Sequence, residues 1–228
     1  MARVNLARRA EIGSEKRART RAAILEAARG CYASETAGSV TVDALMQAAG
    51  LAKGTFYVHF RDLAELEAEL GAGVVEEIDE ELQPARLAVS DPLTRLATAT
   101  TILLRHLAAQ PARARLTARA ATNIPEVSQA VHARLREDLA AAQAAGRLVL
   151  PSNEFAARIV SAIAVQAARD LGMGRIDAKA IPDIVRAILR AIGCAPADAA
   201  ARTAQAGRNA DKFVQQLAAW GGKNSLGG

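Results

Sequence analysis

The chain has 228 residues, of which 51% are hydrophobic and only 3% aromatic, with 29 Lys and Arg against 24 Asp and Glu. That length holds one large domain or two small ones. Its apolar half is mostly Ala, Leu, Val and Ile without alternating β-branched runs, so an all-α protein is predicted. Cys31 and Cys194 are far apart and belong to no Cys/His cluster, which argues against a zinc site and fits a reducing compartment. The N-terminus lacks the apolar core of a signal peptide. The longest apolar stretch, near Ile159 to Ala168, is broken by Ser161 and Gln166 and falls short of the ~20 residues a membrane span needs. A soluble, cytoplasmic protein is expected.

In chain order, residues 1–13 read as a flexible basic arm. A helix is predicted from Ser14, with Ile24, Leu25, Ala28, Cys31 and Tyr32 as its apolar stripe. The Ser/Thr/Gly cluster 34–39 reads as a loop. Thr41 can cap a short helix that Gly50 ends in a left-handed turn, and another short helix covers Ala52 to Val58. Asp62 and Glu65 have capping-box spacing and open a longer helix.

Further helices are bounded by Pro, Gly and Asp signals. Asp91-Pro92 opens one to Ala109, and Pro111 separates it from another over Ala112 to Ala121. The next runs from Pro125 to Gly146, and one from Glu154 to Leu171 follows. A strongly amphipathic helix holds Pro182 in its first turn and ends at Gly193, and a helical tail interrupted at Gly207 closes the chain. The predicted divisions are 1–13, 14–63, 64–195 and 196–228.

Charge and aromatics both concentrate early. Residues 1–61 hold ten Lys or Arg and five acids, leaving nineteen of each in the remainder. Such asymmetry points to an anionic partner for that end, or to a basic solvated tail. Three of the seven aromatic residues, Phe56, Tyr57 and Phe60, fall within five positions. Two short helices joined by a Gly-containing turn have the layout of a helix-turn-helix, whose second helix enters the DNA major groove. On that helix Phe56 and Phe60 are four apart and share a face, suited to anchoring it against Leu45, Ile24 and Ala28. Lys53 with Tyr57, and Thr55 with His59, form two further pairs, offering phosphate and base-edge partners. Gly54 allows close approach of the backbone.

The run Thr41-Val42-x-x-Leu45-x-x-Ala48-Ala49-Gly50-Leu51-Ala52-Lys53-Gly54-Thr55-Phe56-Tyr57-Val58-His59-Phe60 resembles the DNA-binding motif of the TetR family of bacterial repressors. "ILEAA", 24–28, fits as well, and the resemblance covers roughly residues 15–66. It implies a homodimer that binds double-stranded operator DNA, represses transcription, and is released by a small-molecule effector held in a larger helical domain. By the family pattern Lys53 and Gly54 lie nearest base edges, Thr55, Tyr57 and His59 hold phosphates, and Thr41 contacts the backbone beside them. Ala52 and Leu63 depart from the pattern, which often has Ser and Lys at those positions. Arg61, or Arg17, Arg19 and Arg21 before the motif, are the candidates to supply the missing charge.

For the larger region the resemblance suggests that the two helices before residue 195 pack against their two-fold mates. The candidate interface is Phe155, Ile159, Ile163, Ile184, Ile188 and Ile192; the alternative is that this stripe belongs to one intramolecular core. Candidate polar groups for an effector pocket are His106, Arg119, Asn123 and Gln166. No Gly-rich phosphate loop, nucleophile–His pair or pair of carboxylates placed for acid–base work is visible, so neither an enzyme nor a cofactor or metal is expected. The competing function is a helical dimer that uses its N-terminal three-helix unit to bind another protein.

Overall fold

A computed structural model of the chain describes residues 2–34, 40–123, 125–148 and 152–224. Among the described residues there are ten α-helices, one 3-10 turn and no strand. The chain divides into two compact units, Met1–Gly71 and Ala72–Gly228.

The first unit holds α1 (Ala2–Ser34), α2 (Val42–Ala48), α3 (Lys53–His59) and the first turns of α4 (Leu63–Leu87). Local chemistry sets most of the boundaries. Thr41 Oγ1 accepts from Ala44 N at 3.2 Å, closing the start of α2. Gly50 then adopts φ +65°, and Leu51 N donates to Met46 O at 2.9 Å, the six-to-one bond of a left-handed helix stop. Before α4, Glu65 N donates to Asp62 Oδ1 at 2.8 Å, the cap half of the predicted capping box, while Glu65 Oε2 reaches back one residue further than the box requires and accepts from Arg61 N at 2.7 Å.

Ile24 and Ala28 of α1, Leu45 and Met46 of α2, Phe56 and Phe60, and Leu66 and Leu70 of α4 form the buried centre of this unit. Burying a side chain of this size contributes about 1.5–3 kcal/mol, so the two Phe residues are a large part of what seats the seven-residue α3. One expectation is corrected. Residues 2–13 are the first turns of α1, not an arm preceding it. Ala, Arg, Leu and Glu favour the helix strongly enough to carry it through Gly13, where an added Cβ would meet nothing within 4 Å. The predicted 34–39 loop lies outside the described residues apart from Ser34, which ends α1.

The second unit contains the remainder of α4 with α5 (Pro92–Ala109), α6 (Pro111–Asn123), α7 (Pro125–Ala144), α8 (Asn153–Gly172), α9 (Ile181–Ala191) and α10 (Pro196–Asn224). Asp91 caps α5 through Thr94 N at 2.9 Å with Pro92 at the first helical position. Ser152 caps α8 through Phe155 N at 3.2 Å. The core gathers Leu93, Leu96 and Leu104 of α5, Leu139 of α7, Val160 and Leu171 of α8, and Val185, Ile188 and Leu189 of α9.

The C-terminal segment is not a separate tail. Helix α10 runs unbroken through Gly207 and packs along α5. Ala206, Ala210 and Phe213 are buried. The buried guanidinium of Arg202 pairs with Asp91 and with Asp198, the latter at 3.0 Å, and Asn209 Nδ2 donates to Thr98 Oγ1 at 3.1 Å. Mid-helix Gly weakens a helix by only ~1 kcal/mol, and apolar burial together with these polar contacts outweighs it.

Candidate nucleic-acid interface

Helix α3 separates its residues by face as the i, i+4 spacing requires. Phe56 and Phe60 point inward, with ring centroids 5.6 Å apart. Tyr57 meets the Phe56 ring edge-on at 5.3 Å yet remains 56% exposed. Its aromatic body leans on the core while its outer part stands in solvent. Lys53, Gly54 and Val58 are exposed beside it, while Thr55 and His59 are half-buried. Gly54 has no packing reason to be Gly, because an added Cβ would meet nothing within 4 Å.

The electrostatics of this face bring in residues that the sequence pattern does not single out. Lys53 Nζ lies 2.9 Å from Asp43 Oδ2 of α2. The hydrogen bond to Asp43 and that carboxylate's charge raise the lysine's pKa. His59 is pushed below the usual imidazole range, first by burial and then by the positive charges of Arg17 and Arg21. Asp43 was missed because an acid in a first helical turn has an ordinary explanation in the helix dipole. Exposed Val58 was missed because an apolar residue in a short helix reads as core.

The arginines divide into two groups. Arg17 and Arg19 are exposed, with Arg19 4.0 Å from Glu15 one turn earlier. Arg21 instead lies over the Phe60 ring, 4.3 Å from its centroid, and pairs with Glu69. Its half-buried guanidinium serves the interior of the unit, so it does not belong to a free basic arm as expected. Arg61 is exposed at the end of α3, its Nε 3.4 Å from Asp62. Ala52, which has no side-chain oxygen, leaves the start of α3 without a side-chain cap.

In the second unit the expected interface residues fall into two sets. Phe155 is 60% exposed, and Ile159, Ile163 and Ile184 are half-buried. Ile188 and Ile192 are completely enclosed by their own chain, which removes them from any surface. The outer faces of α8 and α9 also present Ala162, Ala187 and Ala191.

The expected pocket residues whose side chains are described lie elsewhere than the cavity in this unit. His106 Nε2 is 3.0 Å from Gln110 Nε2 and 2.6 Å from Arg113 Nη1. Gln166 is exposed and donates to Asp170 at 3.0 Å. Arg119 is exposed on α6, and the side chain of Asn123 lies outside the described residues. A cavity of about 160 Å³ opens among α4, α5, α6, α7 and α8, and His106, Arg119 and Gln166 do not line it. Its walls are mainly Val, Ile, Leu and Ala, with hydroxyls from Thr100, Thr117 and Ser161. Four charged side chains, Asp79, Arg86, Arg134 and Asp138, also line it.

An all-helical protein whose short third helix is anchored by two Phe and turned outward at Lys53, Gly54 and Tyr57 has the architecture of a helix-turn-helix regulator. Residues 24–70 match the family model described as bacterial regulatory proteins, tetR family, so the chain carries that family's N-terminal domain. Solved structures of the same fold include RolR in complex with resorcinol, at 22% identity over 83% of this chain and 95% of that one, TM-score 0.62. SmeT, the repressor of the Stenotrophomonas maltophilia multidrug efflux pump SmeDEF, is 21% identical over 76% of this chain and 90% of its own, TM-score 0.57. A γ-butyrolactone receptor described as ArpA-like is 18% identical over 87% and 99%, TM-score 0.56. No curated protein matches the sequence.

Proposed function

We propose that this protein is a sequence-specific DNA-binding regulator of transcription, acting as a homodimeric repressor released by a small molecule. The observation that carries the reading is the division of α3: Phe56 is fully buried, whereas Tyr57, its neighbour, is 56% exposed beside exposed Lys53 and Gly54. Helix interiors disfavour Gly by about 1 kcal/mol relative to Ala. An open-facing Gly54 is explained by a partner whose surface approaches the backbone.

In this reading Lys53 and Gly54 meet base edges, and Tyr57 donates its phenol to phosphate. Thr41, Thr55 and His59 lie beside the same strand, and Arg61 and Arg17 add charge at the borders. The outer faces of α8 and α9, with Phe155, Ile159, Ile163 and Ile184, pair two copies and so set the spacing of two half-sites. That a neighbour of the same fold is a repressor of an efflux pump, and another holds resorcinol, supports repression and a small effector here. A DNA partner places the protein in the cytoplasm.

The test is a footprint on DNA upstream of the protein's own gene together with binding titrations at rising salt. We expect protection of an approximate palindrome and affinity that falls steeply with salt through counterion release. Failure of any duplex to be selected would favour the protein-interaction reading.

A further inference from the structure

The cavity in the second unit has a chemistry that restricts what it can hold. Its volume of about 160 Å³ is close to the ~150 Å³ that accommodates one benzene ring in a protein interior. The cavity is partly open, so its enclosed part seats a single ring and a long acyl chain or a multi-ring compound would project out of it. Among the described residues, the lining contributes no aromatic side chain.

The charged groups at the cavity are matched among themselves. Arg86 lies 3.7 Å from Asp79 and 3.9 Å from Asp138. Arg134 pairs with Asp79, and Arg95, behind the wall, holds Asp138 at 2.7 Å. An anionic ligand would have to draw an arginine away from its carboxylate, and a cation the reverse. Either exchange leaves a partly buried charge without its partner, which is unfavourable.

The hydroxyls are not equivalent. Thr100 donates to Leu96 O and Thr117 to Arg113 O, both at 2.8 Å within their own helices. Ser161, half-buried on α8, has no hydrogen-bond partner among the described residues and retains its donor. Among the described residues the lining is therefore mainly apolar, balanced in charge, and provided with one unused hydroxyl.

We infer that it binds an uncharged single-ring compound carrying one hydroxyl or carbonyl group, which hydrogen-bonds Ser161. The inference rests on the reading that the second unit takes an effector, and it names that effector's class.

The experiment uses the whole protein without DNA. Its affinities for p-cresol, benzoate and decanoate are measured by calorimetry, with benzene as a probe lacking any polar group. p-Cresol should bind best of the four. Ser161→Ala should weaken p-cresol about three- to tenfold, the effect of one net hydrogen bond, and leave benzene unchanged. Ala164→Phe, which fills the cavity, should abolish binding of both, with the fold checked by circular dichroism. Preference for benzoate or decanoate, or no binding of p-cresol, overturns the inference, as does an equal loss of benzene and p-cresol affinity in Ser161→Ala. DNA release is scored separately. If other compounds release operator while p-cresol does not bind, the effector reading stands and only the assigned class fails.

Discussion

Lys53 and Asp43 face one another across the turn between α2 and α3, the ammonium 2.9 Å from a carboxylate oxygen, with both side chains exposed. Since Asp43 raises the lysine's pKa, Lys53 is fully charged at every pH at which duplex DNA is bound. In the proposed DNA-binding mode the carboxylate would also lie close to the DNA, whose negative charge it would repel. Asp43→Asn should raise duplex affinity about two- to fivefold at low salt, the scale of an exposed pair, with the gain fading as salt is added. Fluorescence anisotropy with labelled duplex checks this. A loss of affinity would mean that Asp43 serves chiefly to position Lys53.

Gly54 separates stability from binding. An added methyl group meets nothing inside the chain, so Gly54→Ala should stabilise the first unit by about 0.5–1 kcal/mol. The same methyl would intrude on a closely approaching duplex, and affinity should drop at least tenfold. Urea unfolding and anisotropy on one preparation read the two effects. A variant that is both more stable and equally tight would remove Gly54 from the interface.

Ala52 leaves α3 uncapped. Ala52→Ser places a hydroxyl at the N-cap, where such a group is worth about 0.5–2 kcal/mol. The unfolding midpoint of the first unit should rise in urea, with the m-value unchanged. An unchanged midpoint would show that the turn geometry does not let Ser reach the exposed N–H groups.

Acid should destabilise the protein through its three histidines. His59, His106 and His132 all have lowered pKa values, with burial the leading cause in each. The unfolded chain takes up protons near pH 6.5 while the folded chain resists them. The stability they contribute is therefore complete above about pH 6.5 and is lost as pH falls toward the folded values. Thermal unfolding should give a lower midpoint at pH 5.5 than at pH 7.5, and His106→Gln should reduce the difference. A midpoint that rises on acidification would contradict the assignment.

Arg202 is a buried polar link between α10 and the start of α5. Its side chain is 7% exposed between Asp91 and Asp198. Removing one partner from a buried pair costs roughly 3–5 kcal/mol. Because Asp91 and Asp198 retain 32% and 42% exposure, Arg202→Ala should cost less, about 2–3 kcal/mol. Circular dichroism in urea measures it, and a change below about 0.5 kcal/mol, the range of ordinary surface substitutions, would show that Arg202 contributes little to docking α10.

What was legible in the sequence was local. The caps at Thr41, Asp62 and Asp91, the stop at Gly50 and the anchoring pair Phe56–Phe60 each depend on residues within one or two turns of each other. What failed depended on tertiary context. The isoleucines of α9 read as one stripe, but the stripe is wide enough to touch two neighbours, and Ile188 and Ile192 turn toward their own chain. The cavity draws on five helices, so no spacing in the sequence could name Ser161 as a lining residue. Arg21 resembled its exposed neighbours Arg17 and Arg19 until Phe60 and Glu69 were placed around it. Helix α10 looked interrupted because Gly207 was weighed without the surface of α5.

If the outward face of α3 reads duplex DNA, operator affinity must depend on Tyr57 and Lys53, which Tyr57→Ala and Lys53→Ala measured from low to moderate salt would show. Sedimentation of the same samples would confirm that assembly is unchanged. We expect both variants to bind at least tenfold more weakly, with a shallower salt dependence where a phosphate contact is lost. Wild-type affinity and wild-type salt slope in both would contradict the account.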